Sequence, residues 1–316
     1  MMIPQPPCTL MPMAKKNKKK EQLPEGMSRR EAKLAARAAE REALVGEPRP
    51  FEGLAMEPQL VALQEFIPSA TAEITLKGTD RKVTLCTVLP GAAAALIRDE
   101  EHGAEAFVAM QQATRSNTPG KDLAYALNWV LNAEAGQSLA SGKHDGSQPA
   151  LTELIDATAI LDIVAHQDFN WWLADGDNIS PEVAQHMEMA NDSILPSHPV
   201  EVDVPGAVWW VNPGGKAHIR WVRTDDETTL LNALARIAAR NELILGEETK
   251  FAGAFRTHGI TVPVWDLDTE RPHDDYVAEL KALDEKITAE LSNDAQLSHE
   301  ERRQLENIKS RQVTIR

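Results

Sequence analysis

Two histidines stand near a carboxylate in the sequence, His166 near Asp168 and His258 near Asp266. An imidazole oriented by a carboxylate can move protons near neutral pH, so these four residues are the candidates for acid–base chemistry. Both histidines fall at expected hairpin turns with no nucleophile in view. A turn histidine is more often structural than catalytic, and none of the four is assigned a catalytic role. The patterns G-x-x-x-x-G-K-[ST], G-x-G-x-x-G after a strand, G-x-S-x-G and H-E-x-x-H are all missing, which removes local support for nucleotide, dinucleotide, serine-hydrolase and zinc-peptidase chemistry. The two cysteines, Cys8 and Cys86, can build neither a disulfide framework nor a four-cysteine zinc site. Asp175, Asp177 and Asn178 open like a calcium loop, but Ile179 and Pro181 occupy the next ligand positions and His186 stands where the closing glutamate belongs. No metal and no cofactor is expected.

Two further features could serve binding. The adjacent tryptophans Trp171–Trp172 and Trp209–Trp210 lie on expected strands, where neighbours point to opposite faces. One of each pair is then covered by helices or by the other half of the molecule, the commoner outcome, or offers an aromatic surface that stacks a base or docks a peptide. The second feature is charge. Between Ala14 and Val45 there are ten Lys+Arg and five Asp+Glu, net +5; the whole chain carries −15 and Met1–Met13 is uncharged, so the chain from Gly46 onward carries −20. An acidic body disfavours broad duplex binding, whereas a basic arm can contact RNA or an acidic protein. The polyanion-binding candidates are Lys15, Lys16, Lys18, Lys19 and Lys20, then Arg30, Lys33, Arg37 and Arg41 along one face of an expected helix from Ser28 to Leu44.

Periodicity supplies the elements that must position these residues. Residues 1–48 read as a disordered basic tail holding that marginal helix, ended by Pro48 and Pro50. Within 49–194, Ala72–Lys77 alternates as a half-buried strand, Lys82–Leu89 is a second and Ala106–Gln111 a third; Lys121–Ala135 is a helix and Ile160–Leu173 a hairpin. Within 195–270 the same order returns. Val200, Val202 and Val204 alternate, Ala207–Val211 and Ala217–Val222 follow, Thr228–Asn241 is a helix, and Phe251–Arg256 with Ile260–Leu267 close a hairpin in which Pro263 marks an edge strand. Helices from Asp274 and after Ser298 fill 271–316, packed on the body. The expected fold is α+β: two similar β-rich units, each strand-strand-strand-helix-hairpin through an internal duplication, plus C-terminal helices. A groove where the copies meet is the expected place for a ligand.

The stretches Arg49–Leu54 (RPFEGL), Val61–Ala72 (VALQEFIPSATA), Phe251–Leu267 (FAGAFRTHGITVPVWDL) and Arg311–Ile315 (RQVTI) resemble an uncharacterised actinobacterial family, a domain of unknown function, and the likeness spans nearly all of Arg49–Arg316. Relatives of this kind often carry an N-terminal SEC-C zinc motif, with labels that imply a secretion or chaperone accessory role. Here the lysine run and the single Cys8 stand in that place, so the resemblance brings no zinc. It implies one evolutionary unit and leaves activity open. No run approaches the ~20 apolar residues of a membrane span, and the lysines follow the apolar N-terminal residues, the reverse of a secretory signal. A cytoplasmic protein with no membrane partner is expected. Its expected function is that of a non-catalytic binding or adaptor protein whose basic tail contacts RNA or an acidic partner. An enzyme built around His166 and His258, and a secretion or chaperone accessory, are the alternatives.

Overall fold

The computed structural model describes residues 47–174, 179–268 and 270–314. The basic tail with its expected helix, and the triplet Asp175, Asp177 and Asn178, lie outside them. The first sheet comprises β1 (Ala70–Ile74), β2 (Val83–Cys86), β3 (Ala95–Ile97), β4 (Ala106–Ala109) and the two-residue strands β5 (Ser138–Leu139) and β6 (Val164–Ala165), in the order β5-β3-β4-β2-β1-β6. Only β2 and β4 run parallel. Alternation sends Ala72 and Ile74, opposite Leu85 and Val83, to the inner face, and Thr71 and Glu73, opposite Cys86 and Thr84, to the outer face. Thr84 continues across to Phe107, and Phe107 to Leu96. The inner face is closed by α1 (Glu57–Glu65) and α2 (Pro119–Asn132), whose Leu60, Leu63, Leu123 and Leu127 join Ile74, Val83, Leu85 and Val108 in one core. The short α3 (Leu151–Leu154) adds Leu154 to it.

The second sheet comprises β7 (Ser197–Pro199), β8 (Ala207–Val211), β9 (Ala217–Val222), β10 (Lys250–Thr257), β11 (Ile260–Leu267) and β12 (Gln312–Thr314), in the order β12-β10-β11-β9-β8-β7. One face gives Trp209, Val211, Val222, Ile260 and Val262 to the first core, with α1 against β8 and β9. The other face gives Val208, Trp210, Ile219, Trp221 and Trp265 to a second core under α5 (Glu227–Ala239), α6 (Val277–Leu291) and α7 (His299–Ser310). The helix starts follow their caps. Ser298 and Glu301 form the expected reciprocal box ahead of α7, and Ser180 Oγ accepts from Val183 N at 3.3 Å ahead of α4 (Pro181–Asp192), which is exposed but for Met187 and a few half-buried residues near its end. The chain is α+β, with two similar six-stranded mixed sheets. Their strand directions differ at two places: the β2–β4 pair is parallel where the corresponding β9–β11 pair is antiparallel, and the outermost β3–β5 pair is antiparallel where β10–β12 is parallel.

Three local expectations are corrected. Ile160–Leu173 is not a hairpin: β6 pairs with β1 for two residues, and Asn170–Trp172 is a 3-10 turn, so Trp171 and Trp172 are not on a strand. Asp168 drives this, because its carboxylate takes the N–H of Asn170 at 2.9 Å and bends the chain. Val200, Val202 and Val204 lie after β7 and pack into the second core from a loop rather than a strand. Pro263 sits on β11, an interior strand. It is tolerated there because the ladder to β9 is interrupted at that point, between Val264 opposite Arg220 and Thr261 opposite Arg223.

Candidate functional site

The outer face of the first sheet holds an open groove of about 580 Å³, and none of its lining residues comes from an α-helix. Thr71, Glu73, Thr84 and Phe107 form its floor, and Ile160, Val164, Trp171 and Leu173 its wall. The charges on the floor close on one another. Lys82 Nζ bridges Glu73 at 2.8 Å and Glu105 at 3.2 Å, while Thr84 Oγ1 donates to Glu105 at 3.0 Å. The hydrogen bond to Glu73, then that to Glu105, holds the Lys82 ammonium above the ordinary lysine value. Arg98 ties floor to wall. Its guanidinium lies 4.6 Å over the Phe107 ring, and Nη2 donates to the carbonyls of Trp171 at 2.8 Å and Leu173 at 3.3 Å.

The indoles complete the wall. Trp171 stacks on Phe107 at 6.2 Å and gives its Nε1–H to Ser69 Oγ at 2.9 Å, and Trp172 gives its own to the carbonyl of Val88 at 2.9 Å. Beneath them Cys86 is fully buried, which pushes its thiol well up and removes it as a nucleophile. The rim exposes Ile160 (73%) and Val164 (56%), with the exposed carboxylate of Asp162 between them in the chain.

His166 is not itself a lining residue but bonds one, its Nε2 2.8 Å from Thr71 Oγ1. Burial pulls its pKa below the ordinary value, with Asp168 acting the other way. Asp168 gives both side-chain oxygens to Asn170, so among the described residues no carboxylate is bonded to the imidazole to orient it. His258 lies elsewhere. With φ 49° it makes the β10–β11 turn together with Gly259 at φ 74°, and its Nε2 meets Glu65 at 2.7 Å. Asp266 meets His218 Nδ1 instead, at 3.1 Å and off the line of a hydrogen bond. Neither sequence pair is a bonded pair, and none of His166, Asp168, His258 and Asp266 is among the groove's lining residues. Trp209 and Trp210 are buried, one in each core, and present no face to a partner. The basic candidates Lys15–Arg41 lie outside the described residues.

One polar cluster escaped the sequence reading. Buried Asp122 accepts from Ser116 N at 2.6 Å, Ser116 Oγ at 2.9 Å and His144 N at 3.0 Å, while Thr118 Oγ1 meets His144 Nε2 at 2.8 Å. A hydroxyl beside an imidazole suggests nucleophile and base. Here the carboxylate bonds the serine, and His144 Nδ1 is buried with no partner, so nothing orients the base. The cluster pins two loops onto the start of α2. The sequence signal was Thr118 before Pro119, a helix-start pair.

Fold and site together define an α+β protein of two mixed sheets, with one sheet face open and no assembled catalytic set among the described residues. The chain belongs to a family of unknown function, DUF5926, whose model matches residues 50–316. No curated protein and no solved structure matches it. No helix among the described residues is long and apolar enough to cross a membrane, and no group of three or more metal-ligating side chains occurs among them.

Proposed function

We propose that the protein is a non-catalytic binding protein whose partner occupies the groove on the first sheet. The observation that carries this is the groove's division of labour: its floor charges satisfy one another, and its rim exposes Ile160 and Val164. Such a surface offers apolar area to a partner and few unspent groups for chemistry. The contact between Thr71 and His166 favours the enzyme reading, since it has the spacing of a hydroxyl and its base. Without an orienting carboxylate it ranks second. The test is affinity purification of the full chain from its native cell at low salt, beside an Ile160→Asp/Val164→Asp variant, with proteins and RNA both identified. Components lost with the variant support the groove, and an unchanged set removes it.

A second contact rests on charge alone. The ten basic residues between Lys15 and Arg41 would hold a polyanion by counterion release, with little base preference because the segment has no aromatic residue. If about five charges meet phosphate, the log-log salt slope is roughly −3.5 on single strands and roughly −4.5 on duplex. Replacing Lys15, Lys16, Lys18, Lys19 and Lys20 by glutamine should flatten that slope. RNA binding indifferent to salt or to these substitutions excludes the arm.

A further inference from the structure

Arg220 is a charge without a counter-charge. It stands on β9 between Trp209 of β8 and Val264 of β11, so apolar side chains flank it on both sides. Its guanidinium carbon lies 5.4 Å from the centre of the Phe66 ring, just past the end of α1. Seven arginines among the described residues are not exposed, and Arg220 is the one of them that donates to no protein oxygen. The other six, Arg49, Arg81, Arg98, Arg223, Arg236 and Arg271, each reach a carboxylate or a carbonyl. Burial alone pulls the Arg220 pKa below the ordinary arginine value, and no carboxylate acts against it.

An arginine keeps its proton in a protein, so the charge persists. Arg220 is half-buried and its nitrogens are not among the fully buried unpartnered atoms, so the guanidinium is partly stripped of water yet open to an anion from solvent. The neighbours add to the imbalance. His218, two residues earlier on β9 and on the same face, is lowered by burial first, then held up by Asp266 and pushed down again by Arg220. Asp266 is already shared between His218 at 3.1 Å and Lys216 at 3.5 Å. The chain from Gly46 onward carries −20, yet among the described residues no carboxylate is placed to answer Arg220.

We infer that Arg220, with His218 beside it, is the binding site for a small oxyanion, the carboxylate or phosphate group of a ligand, on the face of the second sheet opposite its helices. The guanidinium fork matches two oxygens of one anion, and the Phe66 ring backs it. The site is independent of the groove on the first sheet.

The test is the melting temperature of the full chain as inorganic phosphate, or separately acetate, replaces chloride at constant ionic strength. A rise with phosphate alone assigns a phosphate, with acetate alone a carboxylate, and with both the shared chemistry. Arg220→Gln should abolish the rise, while Arg256→Gln, the same charge change at an exposed position, should keep it. Arg220→Lys keeps the charge without the fork and should weaken the apparent affinity on the order of tenfold, the worth of a lost charge-assisted hydrogen bond. It carries the comparison if Arg220→Gln does not fold. A wild-type chain that responds to neither anion, an Arg220→Gln variant that keeps the rise, or an Arg220→Lys variant equal to wild type overturns the inference.

Discussion

The two sheets are built alike and finished differently. The second sheet has one face under α5, α6 and α7 and the other against the first core except at half-buried His218 and Arg220. The outer face of the first sheet is covered only in part, by the segment 160–173 that carries Trp171, and otherwise faces the groove. The same chemistry then behaves differently on the two. Under the helices Arg223 is 1% exposed and held by Asp225 at 2.6 Å and Asp284 at 2.7 Å, with its guanidinium 4.6 Å over Trp221. In the groove Lys82 bridges two glutamates at similar distances, but its side chain is 54% exposed. Water screens the second arrangement and is excluded from the first, so one is a structural joint and the other a surface open to a partner.

The contrast is sharpest where most is buried. Trp265→Ala empties a fully buried site on the covered face and should cost about 3–5 kcal/mol in urea unfolding. Asp284→Ala leaves the buried Arg223 with one carboxylate and should cost about 3 kcal/mol, whereas a loss near zero would mean that water already reaches the pair. Trp171→Ala removes the stack on Phe107 and one hydrogen bond from a half-buried side chain, so roughly 1–2 kcal/mol is expected. A cost equal to that of Trp265→Ala would make the groove wall part of the core and break the comparison.

Acid reports on both sheets. His166 beside the groove, and His198 and His218 on the second sheet, all have pKa values lowered from 6.5, chiefly by burial. Their neutral forms are favoured in the folded state. Their contribution to stability is therefore complete above pH 6.5 and is lost as pH falls through the folded values, because the unfolded chain takes up protons first. The urea midpoint should fall on acidification below 6.5, and His166→Gln should remove part of that fall. A midpoint that rises in acid contradicts the sign. The smallest effect belongs to Lys82→Ala, about 0–1 kcal/mol and fading with added salt.

Much of this architecture is legible in the residues. The alternation of Ala72–Lys77, the apolar β-prone runs Ala207–Val211 and Ala217–Val222, the apolar stripe of α5 and the Ser298–Glu301 box each determine a local element through patterns and caps that act within a few residues. Alternation also requires Trp209 and Trp210 to face opposite ways. It does not say what covers each face, because α5, α6 and α7 come from later in the chain and their packing is a long-range outcome. The same limit explains the histidine pairs. His166 and Asp168 are close in sequence, yet their bonds go to Thr71 and Asn170; Asp266 turns to His218, and His258 to Glu65, nearly two hundred residues away. The sequence by itself determined most of the elements, though neither the turn at Trp171 nor the loop at 200–204, together with their two-faced patterning and the charge difference between tail and body. Which sheet face stayed open, and which charge was left unanswered, only the tertiary structure decided, because burial and ion pairing depend on contacts between distant segments that no local period encodes.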